Sequence, residues 1–72
     1  MEASLFTDLL FDTLQCEAPI SIDMALKDIP EWDSMAAMVV LAMADREFNR
    51  KISLANLKKL TTVKDLHALL TQ

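Results

Sequence analysis

The sequence predicts an all-α fold: a small four-helix bundle with a long loop between helices 1 and 2 and a short third helix. Apolar residues recur at three- and four-residue steps, which is the periodicity of amphipathic helices. Gly is absent, and only residues 20–24 alternate in the manner of a strand. The 72 residues, 53% of them hydrophobic, predict one domain (residues 1–72) that closes a core but has little room for a deep catalytic cleft.

The first helix is predicted to begin near Ser4, which can cap it, and to end at Gln15 or Cys16, because Pro19 follows shortly after. Its apolar positions are Leu5, Phe6, Leu9, Leu10 and Leu14. The connection over residues 16–32 lacks sustained helical periodicity, and a loop of this length is uncommon in so small a domain. Its scattered apolar residues predict that it is held against the core.

The second helix is predicted to start at Asp33 and Ser34 and to run to about Asn49. Residues 35–44 within it lack any polar side chain. Such a helix is either central to the fold or partly exposed as a binding face.

Two shorter helices are predicted to complete the bundle. Ser53 can cap a short third helix over residues 54–60. Thr62 followed by Asp65 has the spacing of a capping box and predicts the start of a fourth helix. The apolar residues of this last helix are Val63, Leu66, Leu69 and Leu70.

Charge is unevenly distributed along the chain, whose net charge is −4. Residues 1–45 hold nine acids against one base, a balance of −8, and residues 46–72 hold six bases against two acids, a balance of +4. The basic part contains one aromatic residue, Phe48, and no nucleic-acid-binding motif, so we expect no nucleic-acid partner. No apolar run approaches the roughly 20 residues of a membrane span, and no signal peptide is recognisable. We therefore expect a cytoplasmic monomer.

The residue types that usually carry chemistry are sparse. Cys16 is the one cysteine and has no base near it in sequence, so it is interpreted as a small hydrophobe. His67 is the one histidine and is interpreted as a spectator, although a Ser-His-Asp arrangement with Ser34 stays open at this point. No cluster has metal-ligand spacing. We expect neither a resident metal nor an enzyme.

Several short motifs follow one another in order. They are Asp28-Ile29-Pro30-Glu31-Trp32 in the loop, Asp33-Ser34-Met35 at the start of helix 2, Asp45-Arg46-Glu47-Phe48-Asn49 and Lys51-Ile52 at its end, and Leu60-Thr61-Thr62-Val63 before the last helix. With the order of the helices, they resemble the acyl carrier protein family, whose signature is Asp-Ser-Leu. The resemblance covers essentially the whole chain.

The resemblance implies that Ser34 carries a 4′-phosphopantetheine group, placed there from coenzyme A by a phosphopantetheinyl transferase. Acyl groups would be held as thioesters on the thiol of this arm and delivered to acyl-loading and acyl-processing enzymes. Asp33 would present the site to the transferase or cap helix 2, and both roles stay open. An acyl chain could be sheltered among the helices, and the candidates for the lining are Val40, Leu41, Ala44, Phe48, Leu5, Leu9, Leu57 and Leu66. The alternative, a permanently packed core, is favoured for most of them individually.

The outer face of helix 2 departs from the acidic face of fatty-acid carriers. Ala36, Val39 and Arg46 stand where the family often has acids. The residues predicted to bind partners are Met35, Met38, Val39, Ala42, Asp45 and Glu47, and Met43 is a further candidate. For the methionines the alternative, that they fill gaps in the core, stays open. This departure favours a dedicated carrier in a specialised lipid or secondary-metabolite pathway. Two alternatives stay open: an aminoacyl or peptidyl carrier of the same fold, and an unmodified helical adaptor that binds a partner through helix 2.

Overall fold

The computed structural model describes residues 2–71, and its regular elements are four α-helices. They are α1 (Ala3–Leu14), α2 (Ser34–Phe48), α3 (Leu54–Lys58) and α4 (Val63–Thr71). One turn of 3-10 helix, Leu26–Asp28, interrupts the loop between α1 and α2. Within residues 2–71 the only extended pairing is an isolated antiparallel bridge between Ala25 and Thr62. The prediction of a small, all-helical domain with four helices is therefore confirmed.

α1 begins at Ala3, close to the start predicted near Ser4, but Ser4 does not cap it. Glu2 occupies the N-cap position without a side-chain hydrogen bond, and Ser4 lies inside the first turn, where its carbonyl accepts a hydrogen bond of 3.0 Å from the Thr7 hydroxyl. The earlier start allows the Phe6 amide to donate to the Glu2 carbonyl at 3.0 Å while the Phe6 ring is fully buried. The first turn of α1 is therefore closed by backbone hydrogen bonding, without a side-chain cap.

The chain ends α1 and α2 with left-handed residues other than glycine. Gln15 and Asn49 both have φ 53°, in the region that favours Gly and tolerates Asn. After α1, the amides of Gln15 and Cys16 donate to the carbonyls of Asp12 and Phe11, which is the pairing of a Schellman motif. The helix ends predicted near residues 15 and 49 are thereby confirmed.

The long loop is pinned to the core, as its apolar residues predict. Leu26 and Ile29 are each only 2% exposed. The loop is also fastened to the start of α4 by two backbone hydrogen bonds of 2.9 Å, from the Leu26 amide to the Thr61 carbonyl and from the Val63 amide to the Met24 carbonyl. The segment that precedes α2 is therefore anchored both by buried apolar side chains and by backbone hydrogen bonds.

The two predicted caps of the short helices are present. Ser53 Oγ accepts a hydrogen bond of 3.1 Å from the Asn56 amide at the start of α3. At α4 the capping box is reciprocal: the Asp65 amide donates to Thr62 Oγ1, and the Thr62 amide donates to Asp65 Oδ2, both at 3.1 Å. α3 ends two residues earlier than predicted, because the amides of residues 59 and 60 bond three residues back and tighten the chain into a turn.

The core receives side chains from all four helices and from the loop. Its largest fully buried members are Phe6, Leu10, Met43, Leu57, Leu66, Leu70, Val40 and Val63. Phe6 packs between the helices, with its ring centroid 6.0 Å from that of Phe48 and 5.0 Å from that of His67. Leu5, predicted to line an acyl site, is 54% exposed, because it lies one residue before Phe6 and turns away from the core.

Candidate functional site

Ser34 and Asp33 stand at the N-terminus of α2, where the pinned loop ends. Asp33 is the N-cap residue, and its Oδ1 accepts a hydrogen bond of 2.8 Å from the Ala36 amide. Ser34 is the first residue of the helix and is exposed. Because Asp33 makes the cap, the Ser34 hydroxyl is not needed for it and stands at the surface.

The electrostatics of this helix end are mixed. The free amides and the dipole at the N-terminus of a helix favour an anion, by roughly 0.3–1 kcal/mol at an exposed site. The Asp33 carboxylate already uses the Ala36 amide, and its charge opposes a second anion nearby. A phosphate ester on Ser34 would therefore gain little from α2 alone and would benefit from a cation beside it.

A groove of about 220 Å³ lies beside Ser34, between the start of α2 and α3. Its lining residues are Trp32, Asp33, Ser34, Ala37, Leu54, Leu57, Lys58 and Leu60. The walls are largely apolar, and Lys58 is the one base among these described residues. The groove thus combines an exposed serine hydroxyl, an apolar surface and a cation.

Sequence reasoning did not find most of this groove. The roles of Trp32, Leu54, Lys58 and Leu60 emerge only when α3 packs against the start of α2. The usable signal was Ser53, whose cap marks the start of α3, the helix from which Leu57 enters the core. The other side chains beside Ser34 could not be predicted, because their positions depend on the path of the chain between α2 and α3.

A second hollow, of about 430 Å³, lies where the end of α1 meets the start of α2. It is lined by Thr13, Leu14, Gln15, Glu31, Asp33, Met35, Ala36 and Val39. Asp33 lines both hollows, so the start of α2 forms the ridge between them.

The outer face of α2 is apolar and solvent-exposed. Met35 is 78% exposed, Met38 59% and Val39 45%, and Ala42, Asp45 and Glu47 are exposed as well. Two residues placed near this face by the sequence lie in the interior instead: Ala36 is 7% exposed and Met43 is completely buried. The buried positions 36, 37, 40, 43 and 44 define the inner face, and so Met43 is excluded from the partner-binding set. The partner-binding role of the exposed residues stays a prediction.

Electrostatic pairing on this face is weak. Arg46 Nε lies 3.3 Å from Glu47 Oε2, with both side chains well exposed. An exposed pair of this kind contributes little, about 0–1 kcal/mol. The character of the face is therefore set by its apolar side chains.

Cys16 is a buried free cysteine, as interpreted from the sequence. Burial, together with a hydrogen bond to the Glu31 carboxylate and the charge of that carboxylate, raises the pKa of the Cys16 thiol to about 11. The thiol is therefore protonated and unreactive at neutral pH.

His67 packs on the Phe6 ring and is not among the residues that line the groove beside Ser34. The described residues 2–71 hold no group of three or more His, Cys, Asp or Glu that could bind a metal ion. None of the helices in that part of the chain is long and apolar enough to cross a membrane.

Comparisons of the chain with protein-family models, with curated proteins and with solved structures each find no match. The candidate site is accordingly defined by its own geometry. That geometry is an exposed serine at a capped helix start, between a groove that contains a lysine and a hollow that leads to an apolar helix face.

Proposed function

We propose that this chain is an acyl carrier protein that holds acyl groups as thioesters on a 4′-phosphopantetheine arm attached to Ser34 and delivers them to partner enzymes, in a specialised lipid or secondary-metabolite pathway. One observation carries the proposal. Ser34 is exposed at the first position of α2, its neighbour Asp33 makes the cap in its place, and a groove opens beside it. A surface hydroxyl on a rigid helix end is what a modifying enzyme requires.

The residues around Ser34 suit a phosphopantetheine group. The arm supplies the thiol on which acyl groups are carried, a reactive group that no described side chain of this protein offers in an accessible form. Asp33 fixes the start of α2, the pinned loop fixes the approach to it, and Lys58 brings a positive charge to the same groove. The protein's own part is to present the attachment point and to offer a docking face.

The attachment step balances without a redox partner. Ser34 Oγ would form a bond to the phosphorus next to the pantetheine part of coenzyme A, and the pyrophosphate bond would break. Adenosine bisphosphate would leave with the electron pair, and the hydroxyl proton would pass to a base of the transferase.

The experiment is incubation of the purified protein with coenzyme A and a promiscuous phosphopantetheinyl transferase, followed by intact-mass measurement. We expect the mass of one phosphopantetheine group to be added to the wild type and nothing to be added to Ser34→Ala. Ser53→Ala is the matched control, because Ser53 is also an exposed serine at a helix start. Modification of Ser34→Ala, or no modification of the wild type, would overturn the assignment.

A second function is favoured by a different observation. The exposed apolar face around Met35, Met38 and Val39 suits an unmodified adaptor that binds a partner through α2. The same mass measurement separates the two, since an adaptor gains no arm. An aminoacyl or peptidyl carrier would gain the arm, and is distinguished by which partner enzymes load it.

A further inference from the structure

The three methionines of α2 lie in opposite environments. Met35 and Met38 are exposed on the outer face of the helix, whereas Met43 is completely buried on the inner face. The Met43 sulfur also accepts a hydrogen bond of 3.5 Å from the Thr13 hydroxyl. One helix therefore offers two thioethers to a dissolved reagent and withholds the third from it.

The two exposed thioethers lie beside the proposed attachment point. Met35 follows Ser34 directly in the first turn of α2. Met38 lies four residues after Ser34, and residues at that spacing are neighbours on the surface of a helix. An enzyme that reaches the Ser34 hydroxyl must therefore also cover one or both of these methionines.

The exposed methionines have no strong competitor for an oxidant among the described sulfur-bearing residues. Cys16 is buried, and the raised pKa of its thiol, about 11, keeps it protonated and unreactive at neutral pH. Met24 is partly buried against the core. A hydroperoxide that approaches residues 2–71 therefore meets the Met35 and Met38 sulfur atoms first.

The reaction of a thioether with a hydroperoxide is a two-electron oxygen transfer. A lone pair of the sulfur attacks the hydroxyl oxygen of the hydroperoxide, so that an S–O bond forms while the O–O bond breaks. The other oxygen leaves with the electron pair and takes the proton of the transferred hydroxyl, which gives water or an alcohol. The sulfur is oxidised to a sulfoxide, and methionine sulfoxide reductases return it to the thioether with electrons from a thiol reductant.

We propose that Met35 and Met38 form a reversible oxidation site for hydroperoxides, and that their oxidation blocks attachment of the arm to Ser34; the effect on attachment rests on the proposed function. As thioethers, the two side chains give the transferase an apolar and adaptable contact. A sulfoxide is polar, so covering it without a hydrogen-bond partner costs free energy. Because both side chains stand outside the core, their oxidation leaves the fold unchanged.

The first measurement tests where oxidation occurs. The wild type is treated with graded amounts of hydrogen peroxide, the peroxide is removed with catalase, and fragmentation mass spectrometry locates the added oxygen atoms. We expect Met35 and Met38 to be oxidised at least about tenfold faster than Met43, which reacts only when the structure opens locally. The Tm of the oxidised protein, followed by circular dichroism, should stay near that of the untreated protein.

The second measurement tests the consequence for Ser34. Each protein is compared with its own untreated form in the initial rate of arm attachment by the promiscuous transferase, followed by intact mass. In the wild type we expect oxidation to lower this rate by about fivefold or more. Methionine sulfoxide reductases A and B, which act on the two sulfoxide epimers, should restore it.

Two variants assign the effect to the exposed pair. The double variant Met35→Leu/Met38→Leu should keep its own untreated rate after peroxide, because leucine has no sulfur to oxidise. Met24→Leu is the matched control, because Met24 is a methionine outside α2 that does not lie beside Ser34. It should lose rate on oxidation as the wild type does.

The outcomes separate this inference from the proposed function. If the untreated wild type gains no arm, the proposed function fails and the effect on attachment fails with it. The inference alone is overturned if the arm attaches equally fast to the oxidised wild type, or if peroxide slows the double variant as much as the wild type. It is also overturned if Met43 is oxidised as fast as the exposed pair, or if the oxidised wild type has lost its fold.

Discussion

Asp33 makes the hydrogen bond on which the start of α2 depends, and two substitutions separate that bond from the charge of the side chain. Asp33→Ala removes both the acceptor and the charge. Asp33→Asn keeps an oxygen that can accept from the Ala36 amide, because Asn ranks with Asp as an N-cap residue. We expect Ala to destabilise the protein clearly and Asn to change it little.

The structure sets the size of the effect. The Asp33–Ala36 bond is short, at 2.8 Å, and partly shielded from solvent. This places the cost of Asp33→Ala in the upper part of the range for lost caps, about 1–2 kcal/mol. For a chain of 72 residues, each 1 kcal/mol lowers Tm by roughly 4–8 °C. Asp33→Asn should cost about 0.5 kcal/mol or less, because mainly the interaction of the charge with the helix dipole is lost.

Thermal unfolding followed by circular dichroism at neutral pH measures both variants against the wild type. Equal Tm values for Asp33→Ala and the wild type would refute the capping argument, and so would an Asn variant as unstable as the Ala variant. The same proteins also separate the two roles considered for Asp33. Slow modification of a stably folded Asp33→Asn would assign the carboxylate to presentation of Ser34 to the transferase, and an unchanged rate would leave capping as its role.

Four further predictions concern the core, the helix ends and the outer face. Leu66→Ala should cost about 2–5 kcal/mol in urea unfolding because Leu66 is fully buried, whereas Leu5→Ala should cost about 0.5 kcal/mol or less because Leu5 is 54% exposed. Gln15→Gly should raise stability by up to about 1 kcal/mol in the same assay, since Gly adopts φ 53° without Cβ strain. Hydrogen bonds from the amides of residues 62 and 61 lower the pKa of Asp65 below its usual 3.8. The contribution of Asp65 to folding stability is therefore present above that pH and is lost as the pH falls through the lower pKa of the folded state. Asp65→Asn should flatten this part of a curve of stability against pH. Val39→Glu should leave Tm near the wild-type value but weaken binding to the cognate partner enzyme in calorimetry by about tenfold or more, because the charge would be buried in an apolar contact.

For each of these four predictions, one result would contradict the structural reasoning behind it. Similar losses for Leu66→Ala and Leu5→Ala would contradict the assigned phases of α1 and α4. If Gln15→Gly were less stable than the wild type, the left-handed end of α1 would be contradicted. If Asp65→Asn lost stability at low pH as the wild type does, the capping box would be contradicted. If Val39→Glu bound its partner normally, the partner would have to be recognised by another part of the surface.

The elements that could be predicted from the sequence are those with local signals. The caps at Asp33 and Ser53 and the capping box at Thr62 use side chains at fixed spacing from the amides they bind, so a linear sequence reveals them. Ser4 carries the same kind of signal but does not cap α1, because the helix begins at Ala3 and places Ser4 inside its first turn.

The inner and outer faces of α2 were harder to assign. Residues 35–44 carry no polar side chain to mark the solvent side, so the helical phase within that run was undefined. Packing against the other helices fixes it, burying Ala36 and Met43 and exposing Met35 and Val39. The groove beside Ser34 was likewise beyond the sequence, since Lys58 lies 24 residues further along the chain and reaches it only through the packing of α3.

The central claim is that Ser34 carries an arm on which acyl groups are held. The most direct measurement is fragmentation mass spectrometry of the protein after incubation with a short acyl-coenzyme A and a promiscuous transferase, which locates both the arm and the acyl group. We expect one acylated arm, on Ser34, and none on the three other serines, Ser4, Ser21 and Ser53. An unmodified chain, or an arm on any serine other than Ser34, would contradict it.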